Sequence, residues 1–313
     1  MKKDEFLDIF PSKFHPLLGQ AADVANTVRE VRLRSNAPLI INNNGQEYYI
    51  SNNGNFTKIL IEAYYLTKND IELFLSYVCQ NSIYAFEEEI KKGFLTISGG
   101  HRIGIAGQVV LDIQGNIKTI KNISYLNIRI AHEVKGVSDE ILPILYHNQR
   151  LLNTLIIAPP GCGKTTLLRD IVRQVSDGNL YGNPCQVSVV DERSEIAGCY
   201  RGIPQNHVGI RTDVLDACPK RIGMMMLLRT MSPQVMAIDE LGGMEDVEAL
   251  YHVVNAGCTI LVTIHGEDIE EIRRKRYLSE LLEEKVFKRY IILDKQNSKF
   301  IIKQKLKEDL QEC

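Results

Sequence analysis

The stretch Ala158-Pro-Pro-Gly-Cys-Gly-Lys-Thr-Thr166 decides the fold, because the segments on both sides of it are those of a phosphate-binding loop. It follows the apolar run 154–158, which is typical of a buried parallel strand. It precedes residues 167–175, in which apolar side chains recur at the spacing of a helix. A strand, a glycine-rich loop and a helix in this order predict a loop that binds the phosphates of a nucleotide.

The residue types in this loop each have a chemical reason. Gly161 and Gly163 let backbone N–H groups turn towards phosphate oxygens, and the helix that follows points its positive end at the same anion. Lys164 can reach the β- and γ-phosphates, and the Thr165 hydroxyl can ligate Mg²⁺. The usual first glycine is an alanine here, and the alternative interpretation is a chance glycine turn. We predict ATP and Mg²⁺ as ligands, with cofactor-binding residues Ala158, Pro159, Pro160, Gly161, Cys162, Gly163, Lys164, Thr165 and Thr166.

Length and composition narrow the class of protein. A chain of 313 residues favours two domains, and 44% hydrophobic with 24% charged residues is ordinary for a soluble globular protein. The net charge of −2 gives no overall attraction to nucleic acid or anionic membranes. Seven cysteines without a Cys-x-x-Cys pair disfavour zinc and thioredoxin-like sites and suit the reduced thiols of a cytoplasm. No apolar run approaches the ~20 residues of a spanning helix, so we expect any membrane association to go through partners.

The order of predicted elements divides the chain after residue 135. Residues 1–135 contain strands and helices in blocks, which predicts a smaller α+β domain. In residues 136–313, strands at 153–158, 186–191, 234–239 and 258–264 alternate with helical stretches, which predicts an α/β domain with a parallel sheet. We also expect a helix from Glu140 to about Gln149, a charged helix over Glu267–Glu284, and a small hairpin over 286–293 and 299–302.

Two acids follow the apolar strand that begins at Gln234. An acid at the carboxyl end of a parallel strand beside the phosphate loop lies at the ligand-binding edge of the sheet, which is the arrangement of a Walker B segment. We predict that Asp239 holds Mg²⁺, and that Glu240 orients and deprotonates the attacking water. The alternative is a strand that simply ends in solvated acids.

Two further strand ends carry candidate catalytic residues. Glu192 follows the strand at 187–191 and is our second catalytic carboxylate, with Glu195 behind it. These acids either share the Mg²⁺ and water duties or form a structural salt-bridge cluster with Arg193. His265 ends the strand at 259–265, where it can sense the γ-phosphate; the alternative is a structural histidine at a turn.

Arginine is expected as well, because charge on the γ-phosphate in the transition state is usually met by an arginine finger. Arg229, just before the Walker B strand, is the candidate we include in the catalytic set. Arg211 is a second candidate, and Arg102 and Arg129 of the first domain are two that a neighbouring subunit could supply. Each of them has the alternative role of a solvated or ion-paired surface residue.

The combination of motifs resembles the secretion ATPases of type II and type IV machines. The phosphate loop, the acid-ended strand near 190, Leu228-Arg-Thr-Met-Ser-Pro233 and Thr263-Ile-His-Gly266 carry the resemblance. It implies a RecA-like core, a hexameric ring, and a first domain that caps the nucleotide and supplies arginines. In that family a glycine precedes the Walker B glutamate, whereas Asp239 does so here. This departure favours Glu240, rather than an acid near 190, as the base.

A closer resemblance covers nearly the whole chain. The blocks Gly99–Ala106, Leu126–Ala131, Val190–Ile196, Arg211–Asp216 and Met224–Met226 are similar to the stage III sporulation protein AA family of endospore-forming bacteria. The resemblance implies a cytoplasmic ATPase of the mother cell. It would energise the channel complex that joins mother cell and forespore, docking on membrane proteins of that complex.

Two alternative functions stay open. One is a purely structural ring that assembles on ATP, in which Glu240→Gln would leave the biological activity intact. The other is a RecA-like ATPase that binds single-stranded nucleic acid. Such proteins carry a further binding module after the core. The residues after His265 have mixed charge and no platform of aromatic and basic side chains, which disfavours this alternative.

Overall fold

The computed structural model describes residues 1–80, 82, 86–296 and 299–313. The chain divides into two compact units, Met1–His132 and Glu133–Cys313, so the division lies slightly before the expected one after residue 135. Among the described residues, no helix has both the length and the apolar character needed to cross a membrane.

The N-terminal unit is built around an antiparallel sheet. Its helices are α1 (Lys3–Leu7), α2 (His15–Asp23), α3 (Lys68–Val78) and α4 (Glu87–Lys91). Its strands are β1 (Val28–Arg34), β2 (Ala37–Pro38), β3 (Ile40–Asn43), β4 (Gln46–Ile50), β5 (Phe56–Thr57), β6 (Tyr65–Leu66), β7 (Phe94–Ile97), β8 (His101–Leu111) and β9 (Ile117–Arg129). Seven of these strands pair in the order β5-β4-β3-β1-β9-β8-β7, and β2 pairs with β6.

Aromatic side chains form one part of the core of this unit. Phe6, Phe10 and Phe74 are fully buried. The ring centroids of Phe6 and Phe10 lie 5.4 Å apart, and those of Phe10 and Phe74 lie 5.7 Å apart. Clustered rings of this kind bury a large apolar area, so they join the N-terminal helices to α3.

The C-terminal unit alternates strands with helices. Its helices are α5 (Leu142–Leu145), α6 (Lys164–Asp177), α7 (Lys220–Thr230), α8 (Met244–Asn255), α9 (Ile269–Arg274) and α10 (Arg276–Glu283). Its strands are β10 (Tyr146–His147), β11 (Arg150–Leu151), β12 (Thr154–Ala158), β13 (Val187–Asp191), β14 (Thr212–Asp216), β15 (Val235–Ile238), β16 (Thr259–His265), β17 (Arg289–Gln296) and β18 (Lys299–Lys307).

The main sheet of this unit has the order β14-β13-β15-β16-β12-β17-β18. All neighbouring pairs are parallel except β17 with β18. Every residue of β12 is buried, and its alternate side chains enter two different apolar clusters, Ile156 with α6 on one face and Leu155 with α7 and α8 on the other. Both faces of the sheet are therefore covered by helices, as parallel sheets require.

Two expectations for this unit were wrong, and a third was confirmed. The helix expected from Glu140 to about Gln149 is only α5, because Asn148 and Gln149 adopt left-handed φ angles of 48° and 63° and form the turn between β10 and β11. The charged helix over Glu267–Glu284 is interrupted at Lys275, which caps both α9 and α10. The expected hairpin is present, since β17 and β18 pair antiparallel, and it belongs to the main sheet because β17 also pairs in parallel with β12.

Candidate functional site

The glycine-rich loop lies at the carboxyl end of β12, between that strand and α6. Gly161 and Gly163 have left-handed φ angles of 72° and 81°, a conformation that side chains with a Cβ rarely adopt. Ala158 is the last residue of β12, so its extended backbone needs no glycine. Its carbonyl accepts hydrogen bonds from the Gly266 backbone at 3.3 Å and from Lys164 Nζ at 3.2 Å.

Lys164 is held inside the loop by three contacts. Its Nζ lies 3.2 Å from the Ala158 carbonyl oxygen, 3.3 Å from that of Pro159 and 3.3 Å from Nδ1 of His265. An ammonium group has three N–H donors, so these contacts use all of them. Burial lowers the pKa of Lys164, while Glu240 and Asp239 act in the opposite direction. Lys164 is only 7% exposed, so its ammonium is largely shielded from solvent inside the loop.

Asp239 joins the loop to two strands through hydroxyl groups. Thr165 Oγ1 donates to Asp239 Oδ2 at 2.6 Å, and the Thr263 hydroxyl donates to Asp239 Oδ1. The same Thr263 oxygen accepts the backbone N–H of Glu240 at 2.8 Å. The start of α6, the end of β15 and the interior of β16 thus meet at one carboxylate.

The carboxylate of Glu240 has a partner at each oxygen. Arg193 lies 2.7 Å from Oε2, and Nε2 of His265 contacts Oε1. The ammonium of Lys164 can only donate a hydrogen bond, so it makes Nδ1 of His265 an acceptor. The proton of a neutral His265 is therefore on Nε2 and is donated to Glu240. Lys164, His265, Glu240 and Arg193 form one connected polar chain.

A buried carboxylate holds the loop that carries Arg193. Asp191 ends β13 and is 1% exposed. It accepts backbone N–H groups at 2.8, 3.0 and 2.8 Å from Glu195, Ile196 and Ala197. Burial raises its pKa to about 6, although those three hydrogen bonds lower it. Arg169 supports the same loop by donating to the Glu195 and Ile196 carbonyls at 2.6 and 2.5 Å.

Glu192 lies in the same pocket as the Walker B acids but has a different partner. Its carboxylate forms an ion pair with Lys220 at the start of α7. The lining of that pocket is Asp191, Glu192, Arg193, Glu195, Lys220, Asp239 and Glu240. Glu192 thus lines the pocket while paired with Lys220, and Arg193 pairs with Glu240, so the salt-bridge cluster is present and a role for Glu192 with Mg²⁺ or water stays a prediction.

The candidate arginines are dispersed. Arg229 is exposed on α7 and lines a groove of about 560 Å³ between α7 and α8, away from the glycine-rich loop. Arg211 contacts the Ser176 carbonyl at 3.3 Å near the far end of α6, which separates it from Lys164 of the same chain by roughly 20 Å. In the N-terminal unit Arg102 stacks on the Phe94 ring at 3.7 Å and pairs in register with Arg129.

Sequence reasoning missed Thr263 and gave no role to Asp191 or Arg169. Thr263 could have been found, because a hydroxyl within the apolar strand Ile260-Leu-Val-Thr-Ile264 must have a hydrogen-bond partner when it is buried. The sequence carries no comparable signal for Arg169, whose partners are backbone carbonyls of a loop about 26 positions further along the chain.

The fold is similar to those of two solved ATPase structures. The ATPase DotB of Legionella pneumophila matches with a TM-score of 0.62 and 14% identity, over 96% of this chain and 83% of DotB. The pilus retraction motor PilT, solved with bound ADP, matches with a TM-score of 0.59 and 15% identity, over 89% of this chain and 77% of PilT. These likenesses establish an α/β fold with a RecA-like P-loop core preceded by an N-terminal domain.

Similarity in sequence identifies the family. Stage III sporulation protein AA of Bacillus subtilis (strain 168) is 46% identical over 268 residues, which are 86% of this chain and 83% of that protein. The uncharacterized protein ycf45 of Cyanidium caldarium is 27% identical over 163 residues, 51% of this chain and 46% of ycf45. Residues 1–308 match the family described as sporulation stage III, protein AA. This chain therefore belongs to the stage III sporulation protein AA family.

Proposed function

We propose that this chain is a Mg²⁺-dependent ATP hydrolase of the secretion-motor kind. The observation that carries the proposal is the 2.6 Å contact between the Thr165 hydroxyl and the Asp239 carboxylate. It joins the first turn of α6, where phosphates bind, to the strand end where a divalent cation is held in P-loop enzymes. Both groups offer hard oxygen ligands of the type that Mg²⁺ prefers, so the donor set fits this ion.

The remaining residues have separate tasks in the proposed reaction. The backbone N–H groups of the glycine-rich loop and the ammonium of Lys164 bind the phosphates. Thr165 and Asp239 would hold Mg²⁺, which when bound neutralises phosphate charge. Glu240 orients the attacking water and accepts its proton, while the Nε2 proton of His265 and the guanidinium of Arg193 hold the Glu240 carboxylate. Glu192 is the second acid available to the same water.

The biological part of the proposal rests on family membership and on the secretion-motor fold. We propose that the protein acts as a homohexamer in the mother-cell cytoplasm, peripheral to the membrane through its partners. It would energise assembly of, or transport through, the channel between mother cell and forespore by docking on membrane proteins of that complex. Because Arg211 and Arg229 lie away from the loop of their own chain, we favour a neighbouring subunit as the source of the finger, with Arg102 and Arg129 as its candidates.

Steady-state ATP hydrolysis by the purified protein, measured over a range of protein concentrations, tests the proposal. Lys164→Ala should abolish nucleotide binding and hydrolysis. Glu240→Gln should keep binding but lower kcat by about 10²- to 10⁴-fold, the usual contribution of a general base. The matched control is Glu245→Gln on α8, whose exposed carboxylate lies 3.6 Å from Arg221, and it should leave kcat unchanged.

Each outcome has a definite meaning. Loss in both site variants, with specific activity that rises with protein concentration, supports an ATPase completed across subunit contacts. Hydrolysis that survives Lys164→Ala, or a parent protein that is inert alone and with its membrane partners, overturns the proposal. Salt-sensitive binding of a labelled single-stranded oligonucleotide would favour the nucleic-acid alternative instead.

A further inference from the structure

The hydroxyl of Thr263 connects the two acids of the candidate site. It donates to Oδ1 of Asp239 and accepts the backbone N–H of Glu240 at 2.8 Å. The Thr263 carbonyl also accepts the backbone N–H of Leu241 at 2.9 Å. A hydroxyl has one proton to donate and oxygen lone pairs to accept with. Its single proton is thus committed to Asp239, and its oxygen orients the chain at Glu240.

The backbone at Glu240 needs such support. Its φ angle is 62°, in the left-handed region that residues with a side chain rarely adopt outside glycine, asparagine and aspartate. A conformation of this kind persists where surrounding contacts determine it. Here the supporting contacts come from Thr263, whose hydroxyl and carbonyl oxygens accept the N–H groups of Glu240 and Leu241. The direction in which the Glu240 side chain leaves the backbone depends on that turn.

We propose that Thr263 is a positioning residue for ATP hydrolysis, whose hydroxyl holds the Asp239 carboxylate in place for Mg²⁺ and the Glu240 turn in place for water activation. This inference rests on the proposed function, since both acids have their tasks only there. Partners that orient metal-binding carboxylates typically change metal affinity by about 10- to 100-fold when they are removed. A misplacement of about 1 Å of a catalytic group can cost about 10²-fold in rate.

Packing is the competing explanation for a buried threonine. Thr263 is fully buried, so its methyl group contributes to the filled core as well. The two explanations predict opposite orders for two substitutions. Thr263→Val keeps the shape and removes the hydroxyl, whereas Thr263→Ser keeps the hydroxyl and removes the methyl group. If Thr263 positions the acids, Thr263→Val should be impaired and Thr263→Ser should not. If Thr263 only fills the core, the serine variant should be the impaired one.

The experiment compares the parent protein with Thr263→Val, Thr263→Ser and Thr259→Val. The last is the matched control, because Thr259 lies at the opposite end of the same strand, beside Val235. Circular dichroism first confirms that all four proteins are folded. Steady-state kinetics then give kcat, the KM for ATP and the Mg²⁺ concentration for half-maximal rate. Hydrogen exchange of peptides covering residues 239–241 measures the Glu240 amide without any need for turnover.

We expect Thr263→Val to lower kcat by about 10²-fold and to raise half-saturating Mg²⁺ by about 10- to 100-fold, with a smaller effect on KM. Its Glu240 amide should exchange at least about 10-fold faster, because the acceptor is gone. Thr263→Ser should stay close to the parent in all three measurements, and so should Thr259→Val. A valine variant with parental kinetics and exchange, or a serine variant as impaired as the valine one, overturns the inference while leaving the ATPase proposal intact.

An inert parent protein would count against the proposed function, and with it against the hydrolytic part of this inference. The hydrogen-exchange order would still decide the role of Thr263 in holding Glu240. Binding of a fluorescent ATP analogue with and without Mg²⁺ would decide its role at Asp239, since only the Mg²⁺-dependent part of the affinity should fall in Thr263→Val.

Discussion

Replacement of Asp191 tests how the loop bearing Arg193 is held. Asp191→Ala leaves the N–H groups of Glu195, Ile196 and Ala197 without their acceptor. Asp191→Asn keeps one oxygen, which can still serve the two N–H groups that share Oδ2. A buried donor without a partner costs about 1–3 kcal/mol. We therefore expect the alanine variant to be less stable than the asparagine variant by about 2 kcal/mol or more.

The charge of Asp191 adds a dependence on pH. Its pKa is about 6 in the folded protein, against an ordinary value of 3.8 for an aspartate in the unfolded chain, so the folded state binds the proton more tightly. The difference between these pKa values corresponds to about 3 kcal/mol that ionisation of Asp191 removes from stability above pH ~6. Stability from this group therefore rises as the pH falls from about 6 towards 4. Between about pH 8 and pH 5 the change is on the order of 1.4 kcal/mol.

Urea unfolding followed by far-ultraviolet circular dichroism measures both effects, and the absence of tryptophan rules out indole fluorescence as the probe. Asparagine does not titrate, so the unfolding free energy of the parent minus that of Asp191→Asn should increase by that amount when the pH is lowered from about 8 to 5. The reasoning is refuted if this difference is independent of pH. It is equally refuted if Asp191→Ala is as stable as Asp191→Asn.

Two further predictions concern stability. Burial lowers the pKa of His101 to about 4, below its usual 6.5, so the unfolded state binds the proton more readily than the folded state. Up to about 3 kcal/mol of unfolding free energy is therefore lost as the pH falls from 6.5 through 4. Urea unfolding of His101→Gln should lack this loss. Gly209→Ala should destabilise by about 2–4 kcal/mol, because φ is 93° and a Cβ would lie 2.3 Å from Ser176 Cβ. Gly202→Ala, with φ of 76° and open space, is the control and should cost only about 1–2 kcal/mol by thermal unfolding.

The elements that the sequence predicted well depend on local chemistry. The strand before the glycine-rich loop and the helix after it follow from the spacing of apolar residues, and β12 and α6 lie where that spacing indicated. Gly161 and Gly163 have the positive φ angles that their position in the loop suggested. The acids of the Walker B segment lie at the end of β15, because a polar residue after an apolar run ends a buried strand.

The sequence did not indicate which distant elements become neighbours. A hairpin over residues 286–302 was visible in the sequence, but nothing local indicated that β17 would pair with β12. The helix expected after Glu140 failed for a local reason, since two left-handed residues form a turn that periodicity does not reveal.

The sequence by itself determined the phosphate loop, the alternation of strands and helices, and the residues that can carry the chemistry, because these depend on side-chain type and short-range spacing. Only the tertiary structure decided how those residues are connected. Asp239 meets Thr263 from 24 positions away and Lys164 meets His265 from 101 positions away. Such contacts follow from the order of strands in the sheet, and a buried polar group takes the partner that this order brings within hydrogen-bonding distance.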